Sequence, residues 1–527
     1  MLPRLIRHIP GFLLCALMGA PVCAGQSISP AQAVPEGEAA AALPDSVRSD
    51  LQLAGVSAAG ASFVVNPLDG GPLRLSLRED APMNPASTMK LLTTYAGLAM
   101  LGPDFRWRTA VYASREPKAG RLDGDLIVRG DGDPSLVIER WWLLVQHVRA
   151  LGIRDIRGDL VLDRSRYAPA VESGPILDHN DLRPYNVPPD ALLVNFKALS
   201  LEFVPDAAAD VARVVATPQL DGVTTPAQVP LGRGPCGDWK AQLKADFSAP
   251  KAPRFRGSYP ASCGVKRWHV SQLGPDEYAL ASFRALWRQS GGNFRGSLRA
   301  GHAGADAVHL FDQESPPLAE VIRDINKNSN NVMARQLFLA LGIAPAATAP
   351  AGDEEETAPH PAAPPLPAPQ EDSAAAANGD AAMPPAEPGA QASPARSIAA
   401  LRSWLERQGL AMPELVLQNG SGLSRLERIS AASMARLLAR AWSSADMPPF
   451  LASLPLAGVD GTMKHRKSAV HSAYVKTGYL AEVRALAGYV FAASGRRYLI
   501  VCFINDPHAE AAQAAIDDLL QWVWDRG

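Results

Sequence analysis

The sequence predicts an α+β fold in which an antiparallel sheet flanked by helices is interrupted by a β-rich inserted region. Ala61–Val65 and Leu73–Leu77 form a predicted β-hairpin near the N-terminus, and apolar strand segments return at residues 475–504 after several helical stretches. Between them, residues 105–270 carry short strand-like segments broken by one helix. We therefore expect the first and last strands to share one sheet, with the middle region inserted between them.

The composition is that of a globular protein with balanced charge. The chain has 527 residues, 47% of them hydrophobic, and 51 basic and 53 acidic side chains give a formal net charge of −2. This balance gives no indication of a nucleic-acid-binding surface. The histidines show no spacing typical of metal ligands, so we predict no metal and no organic cofactor.

The first 24 residues have the pattern of a secretory signal peptide. Arg4 and Arg7 precede a short apolar stretch at residues 11–22, and Val22-Cys23-Ala24 fits a cleavage site before Gly25. The apolar stretch is shorter than the roughly 20 residues that a membrane-spanning helix needs. We therefore expect a secreted protein with no transmembrane segment after cleavage, periplasmic if the source is Gram-negative.

Changes in composition suggest how the mature chain is organised. We predict that residues 25–104 and 271–527 form one domain in two segments, and that residues 105–270 form the inserted region, as two nested domains. Residues 344–396 are nearly all Ala, Pro, Gly and acidic, a composition that cannot bury enough apolar area to fold. This second insert is predicted to be disordered.

Three cysteines remain after cleavage of the signal. Cys236 and Cys263 lie in loop-like sequence, and an oxidising compartment favours a disulfide between them. Cys502 lies in an apolar run typical of a buried strand, where a cysteine behaves as a small hydrophobic residue.

Ser87-Thr-Met-Lys90 is the first motif that could carry chemistry. It lies at the predicted start of a helix from Asn84 to Gly102, and the three-residue spacing puts Ser87 and Lys90 on one face. A serine needs a base to become a nucleophile, and a lysine serves only when burial or nearby cations keep it neutral. The pattern alone is weak, because it also fits a surface helix start and recurs by chance at Ser248-Ala-Pro-Lys251.

Ser329-Asn-Asn331 is the second motif, just before an apolar helix. The Ser329 hydroxyl could relay a proton to a leaving amine, and the Asn331 amide could orient Lys90 and bind a substrate peptide group. The alternative is a helix N-cap, for which serine and asparagine are both favoured.

Lys476-Thr-Gly478 is the third motif, on a predicted strand. Lys476 and Thr477 could bind a substrate carboxylate, and Gly478 would let a substrate backbone approach the strand edge. The backbone N–H of Tyr479 could pair with that of Ser87 as an oxyanion hole. The alternative is an ordinary strand end with a solvated lysine.

These three motifs, in this order and on these element types, resemble the set found in penicillin-recognising serine enzymes. The chain resembles the class C low-molecular-mass penicillin-binding proteins, the D-Ala-D-Ala carboxypeptidase/endopeptidase family. Further stretches carry the resemblance: Asn84–Thr94, Gly158–Asp163, Tyr185–Pro189, Asn419–Ser424, Gly458–Thr462 and Val483–Tyr489.

The resemblance implies a penicillin-recognising serine transpeptidase-like domain with β-rich domains inserted between the first and second motifs. It also implies cleavage of D-Ala-D-Ala bonds in peptidoglycan stem peptides through an acyl-enzyme on Ser87, and acylation by β-lactams. The sequence departs from the family where Asn419 replaces a frequent Asp and where Tyr479 and Glu482 replace small residues. It leaves open the oligomeric state and the balance between carboxypeptidase and endopeptidase action.

Two other functions fit parts of the pattern. One is a β-lactamase on the same scaffold, which would differ in how fast its acyl-enzyme hydrolyses. The other is an envelope protein that binds peptidoglycan through the inserted domains without cleaving it. The complete set of motifs argues against this second alternative.

Overall fold

The structure is a computed structural model that describes residues 43–71, 74–169, 180–343 and 391–527. The predicted signal peptide and residues 344–390 of the predicted Ala/Pro insert lie outside the described residues. Within the described ranges, no helix has the length and apolar character needed to cross a membrane.

The described helices are α1 (Asp45–Ala54), α2 (Met89–Leu101), α3 (Ile138–Ala150), α4 (Trp239–Gln242), α5 (Pro275–Gln289), α6 (Leu318–Asn328), α7 (Asn331–Leu341), α8 (Pro394–Arg407), α9 (Ala431–Trp442), α10 (Met447–Ser453) and α11 (Gln513–Arg526). The described strands are β1 (Ala61–Pro67), β2 (Leu75–Leu77), β3 (Arg108–Ala113), β4 (Arg121–Leu122), β5 (Leu126–Arg129), β6 (Asp155–Ile156), β7 (Leu160–Asp163), β8 (Leu199–Asp206), β9 (Val211–Thr217), β10 (Gln228–Gly232), β11 (Ala245–Asp246), β12 (Arg254–Phe255), β13 (Tyr259–Pro260), β14 (Lys266–Val270), β15 (Asn293–Phe294), β16 (Leu298–Ala300), β17 (Val308–Glu314), β18 (Ala473–Leu480), β19 (Val483–Phe491) and β20 (Arg497–Asn505).

The first and last strands form one antiparallel sheet in the order β18-β19-β20-β1-β2, which confirms the predicted α+β arrangement. Strand β20 is buried on both faces. Val501 and Phe503 belong to the core shared with α2, α6, α7 and α9, whereas Ile500 and Cys502 belong to the core shared with α1 and α11. This alternation places a helical layer on each face of the sheet. Cys502 is fully buried, and burial raises the pKa of its thiol well above the usual range.

The inserted region contains the other four sheets, in the orders β16-β7-β5-β3-β17, β15-β6-β4, β13-β10-β9-β8-β14 and β11-β12. The predicted boundary at residue 270 lies too early, because β17 pairs with β3, β16 with β7 and β15 with β6. Helix α5 also packs there, with Phe283 and Trp287 in the same core as β3 and β8. Because α5 follows residue 270 and has a helical pattern, its sequence alone places it in the domain of residues 271–527. The division into two nested domains stays a prediction.

Two local features bear on the predicted inserts. The structure joins Cys236 and Cys263 in a disulfide. Residues 391–396, predicted as the end of the disordered insert, are structured: Ala392 pairs with Tyr167, and α8 begins at Pro394 with Ser393 as its N-cap. A low-complexity composition hid this start, although a capping serine before proline is a helix signal.

Candidate active site

Ser87 lies in a tight turn at the start of α2. Residues Ala86–Thr88 form one turn of 3-10 helix, so the regular helix begins at Met89, later than the predicted start at Asn84. The Asn84 side chain holds this turn: its amide oxygen accepts a hydrogen bond from the Ala86 N–H at 2.9 Å, and its amide nitrogen donates to the Ser424 carbonyl at 2.8 Å. The turn leaves Ser87 partly exposed while the residues on both sides of it are buried.

Lys90 is completely buried beneath Ser87. Its ammonium nitrogen lies 2.9 Å from Ser87 Oγ, 2.7 Å from the Asn331 side-chain oxygen and 2.5 Å from the Ser421 carbonyl oxygen. Burial lowers the pKa of Lys90 well below its usual range, and the positive charges of Lys476 and Arg335 lower it further. The pair therefore meets the two conditions for a serine–lysine nucleophile: contact, and a lysine that favours the neutral form.

The second motif occupies a short break between α6 and α7. Ser329 ends α6 in the left-handed conformation, with φ of 55°, which is strained for a residue with a side chain. The cap of α7 is Asn330, whose side-chain oxygen accepts from the Met333 N–H at 3.1 Å. Because Asn330 does the capping, the side chains of Ser329 and Asn331 remain directed at the two lysines.

The third motif lies on the edge strand β18. Lys476 is fully buried and donates to Ser329 Oγ at 2.9 Å, and burial lowers its pKa to about 7. At Gly478 a Cβ atom would lie 2.8 Å from the Pro85 carbonyl oxygen and 3.0 Å from Ser87 N. Only glycine lets the strand pass this close to the serine turn. The three motifs predicted from sequence therefore meet in one place.

Tyr479 follows directly and is 45% exposed at the rim of the site. Its hydroxyl accepts a hydrogen bond from Arg466 at 2.7 Å, and the guanidinium of Arg484 lies 5.1 Å from its ring centre. Arg466 is itself paired with Asp517 of α11. The large side chain that replaces the small residue usual in the family is thus held in a fixed position at the groove edge.

A groove of about 720 Å³ opens above Ser87. Its walls come from the motifs, from the inserted region and from the loop after Ser424, and they include Ser329, Asn331, Tyr479, Tyr185, Phe196, His269 and Arg425. Among the described residues, no group of three or more His, Cys, Asp or Glu side chains is placed to hold a metal ion.

Sequence reasoning missed two contacts of the site. Ser421 contributes its carbonyl to Lys90, and Thr462 Oγ1 accepts a hydrogen bond from Thr477 Oγ1 at 2.8 Å. Both residues belong to stretches that carried the family resemblance, Asn419–Ser424 and Gly458–Thr462. The turn-prone sequence Asn-Gly-Ser-Gly was a signal of a shaped loop, but a role for a backbone carbonyl cannot be inferred from residue type.

A serine in contact with a buried lysine, next to a Ser-x-Asn break and a Lys-Thr-Gly edge strand, defines a penicillin-recognising serine hydrolase. Residues 44–357 and 384–524 match the D-Ala-D-Ala carboxypeptidase 3 (S13) family. The chain belongs to this family. This confirms its resemblance to the class C low-molecular-mass penicillin-binding proteins, which the sequence motifs had indicated. It is a serine-type D-Ala-D-Ala carboxypeptidase by class.

Two relatives and one solved structure are similar over most of their length. The chain is 26% identical over 433 residues to D-alanyl-D-alanine carboxypeptidase DacB of Haemophilus influenzae, covering 80% of each chain. It is 27% identical over 460 residues to D-alanyl-D-alanine carboxypeptidase of Actinomadura sp. strain R39, covering 83% of this chain and 76% of that one. The crystal structure of penicillin binding protein 4 (dacB) from Haemophilus influenzae matches with a TM-score of 0.68 at 23% identity, covering 90% of this chain and 99% of that one.

Proposed function

We propose that this protein cleaves the D-Ala-D-Ala peptide bond of peptidoglycan stem peptides with Ser87 as nucleophile and Lys90 as base. The observation that carries the proposal is the 2.9 Å contact between Ser87 Oγ and the buried Lys90 nitrogen. In a buried site lined by a second cation, a neutral lysine can accept the hydroxyl proton as the serine oxygen attacks.

The positions of the motifs support the following reaction. Lys90 takes the Ser87 proton, and Oγ bonds to the carbonyl carbon of the penultimate D-Ala. The N–H groups of Ser87 and Tyr479 receive the oxyanion, since Gly478 brings the strand against the Ser87 nitrogen. As the C–N bond breaks, Ser329 gives its hydroxyl proton to the leaving amine and takes up in return the proton that Lys90 accepted, so Lys90 is neutral again. Water then hydrolyses the ester and restores the Ser87 hydroxyl.

Asn331, Lys476 and Thr477 act on the substrate and on the base. Asn331 holds Lys90 through its side-chain oxygen and keeps its amide nitrogen for a substrate peptide carbonyl. Lys476 and Thr477 face the place where a terminal carboxylate would lie, and Lys476 also disfavours a proton on Lys90. We propose that both contribute to binding a substrate with a free C-terminus.

We expect Lys476→Met to lower kcat/KM for a free pentapeptide by on the order of 10²-fold, mainly through KM, because a charged hydrogen bond to the carboxylate is lost. Burial lowers the pKa of Lys476 to about 7, so the ammonium form, which binds the carboxylate, declines above that pH. The KM of the unmodified enzyme should therefore rise above pH 7, and this rise should be missing in the variant. Lys464→Met, at an exposed lysine nearby, is the control.

Product analysis after digestion of purified peptidoglycan tests the function as a whole. Release of free D-Ala indicates carboxypeptidase action, and loss of cross-linked dimers indicates endopeptidase action. If neither product is released, the proposal is contradicted and the non-enzymatic alternative is favoured. Rapid turnover of nitrocefin with no lasting adduct would favour the β-lactamase alternative.

We further propose that the protein works outside the cytoplasm, which means the periplasm if the source is Gram-negative. The sequence pattern of residues 1–24 supports this placement, as does the disulfide, which persists in oxidising compartments. N-terminal sequencing of the mature protein from a periplasmic fraction tests it, with Gly25 as the expected first residue. A mature protein that retains residues 1–24 would contradict the cleavage.

A further inference from the structure

Glu427 is a fully buried carboxylate that none of the three motifs includes. One of its oxygens accepts hydrogen bonds from three consecutive backbone N–H groups, those of Gln418 at 3.1 Å, Asn419 at 2.9 Å and Gly420 at 3.0 Å. Three donors on one anionic oxygen fix the path of the loop at residues 418–421. The other carboxylate oxygen of Glu427 is buried without a hydrogen-bond partner.

The loop that Glu427 fixes contacts helix α2 at two points. The Ser421 carbonyl accepts from the Lys90 nitrogen, and the Gly420 carbonyl accepts from Thr93 Oγ1 at 2.6 Å. Asn419 braces the same loop, because its side-chain oxygen accepts from the Ser421 N–H at 3.0 Å. A shift of this loop would therefore remove one of the three acceptors that orient the Lys90 nitrogen.

The charges that act on Lys90 come from three separate elements. Lys476 approaches from strand β18 and Arg335 from helix α7, and both favour a neutral Lys90. Glu427, from the loop before α9, is the anion that opposes them and favours the protonated form. Arg335 is itself largely buried, and burial lowers its pKa while Glu427 raises it. The base therefore sits between opposing buried charges.

We propose that Glu427 is a positioning residue for acylation: it holds the Ser421 carbonyl against Lys90 and supplies the negative charge that balances Lys476 and Arg335. The proposal rests on the proposed role of Lys90 as base. Glu427 touches neither the serine nor the substrate groove, so it acts through Lys90. Its charge sets the pH at which the base becomes neutral, and its hydrogen bonds set the direction of the nitrogen.

The test is the pH profile of the second-order rate constant for acylation by benzylpenicillin. We expect the acid limb of this profile to follow deprotonation of Lys90 in the free enzyme. Glu427→Gln keeps the shape of the side chain but removes the anion that favours protonated Lys90. Its acid limb should therefore move to lower pH by about half a unit or more. Arg335→Met removes an opposing cation, and its acid limb should move to higher pH.

Glu414→Gln is the matched control. The Glu414 carboxylate accepts from the N–H of Ser430 at 3.1 Å and from its hydroxyl at 2.6 Å, so it also anchors a turn before α9. It is not among the charges that act on Lys90. This variant should keep the acid limb of the unmodified enzyme, which separates loss of a carboxylate anchor from loss of the charge near Lys90.

The outcomes are distinct. An acid limb in E427Q that coincides with those of E414Q and the unmodified enzyme would overturn the inference while leaving the proposed function intact. An unmodified enzyme that forms no adduct at Ser87 would instead overturn the proposed function. If E427Q does not fold, Glu427→Asp keeps the charge with a shorter reach. We expect it to retain the acid limb and lose about tenfold in maximal rate, and a wild-type rate would contradict the positioning role.

Discussion

Ser87→Ala is expected to form no covalent adduct with benzylpenicillin and to lose at least about 10⁴-fold in D-Ala release. Alanine removes the one atom that can bond to the acyl carbon, while Lys90 keeps its contacts with Asn331 and Ser421. The turn around the serine should persist, since the Asn84 side chain holds it through backbone groups. Intact-protein mass spectrometry after incubation with benzylpenicillin, together with D-Ala release from a pentapeptide, measures both effects.

The second Ser-x-x-Lys sequence offers a matched control for this prediction. Ser248 donates from its hydroxyl to Asp246 at 2.6 Å, and Lys251 pairs with Glu277 at 3.2 Å rather than with the serine. The Lys251 side chain is exposed, whereas Lys90 is completely buried beneath its serine. Ser248→Ala should therefore retain the full penicillin adduct. An adduct that survives in Ser87→Ala would contradict the assignment of the nucleophile.

Much of the catalytic domain could be predicted because its sequence signals are local and strong. The β20 run Tyr498–Ile504 is apolar at every position, as expected of a strand buried on both faces, and it lies at the sheet centre. The sequence predicts a helix at Ala431–Trp442, and α9 has these bounds. Each of the three motifs lies on an element whose type could be inferred from its own residues.

Features that depend on distant pairing could not be predicted in this way. Strand β17 is only partly apolar, and its pairing with β3, nearly 200 residues earlier, places it in the inserted region. Only Val47 and Leu51 of helix α1 are buried, which leaves an apolar face too short for the sequence to indicate a helix there. Trp141 is buried, whereas its neighbour Trp142 is 45% exposed, and residue type alone does not tell which of the two faces the core.

The contribution of Glu427 shows the same limit within the site. Glu427 follows the stretch Asn419–Ser424 and is not part of a recognisable motif. The hydrogen bonds of its side chain come from backbone N–H groups of that loop. Backbone donors are the same for every residue type except proline, so no sequence pattern records them. The chemistry-bearing side chains were therefore predictable, whereas the groups that orient them were not.

Lys90→Met is expected to abolish acylation and also to change how stability depends on pH. Without a base, Ser87 keeps its proton, and the adduct and D-Ala release should fall about as far as in Ser87→Ala. The folded protein disfavours the Lys90 ammonium, because burial and two cations lower its pKa well below the value of about 10.4 in an unfolded chain. Between these two pKa values the unfolded state binds more protons, so the stability of the unmodified enzyme rises with pH.

Methionine has no such proton, so this contribution to the pH dependence disappears in the variant. The stability of Lys90→Met relative to the unmodified enzyme should be highest at low pH and decline as pH rises toward 10, by about 1.4 kcal/mol for each unit by which folding lowers the pKa. Urea unfolding from pH 6 to 10 measures this difference. In the control variant Lys118→Met, which changes an exposed lysine, the free energy of unfolding should depend on pH as it does in the unmodified enzyme. A constant difference for Lys90→Met across this range would mean that Lys90 is charged in the folded protein, and a charged Lys90 could not act as the base.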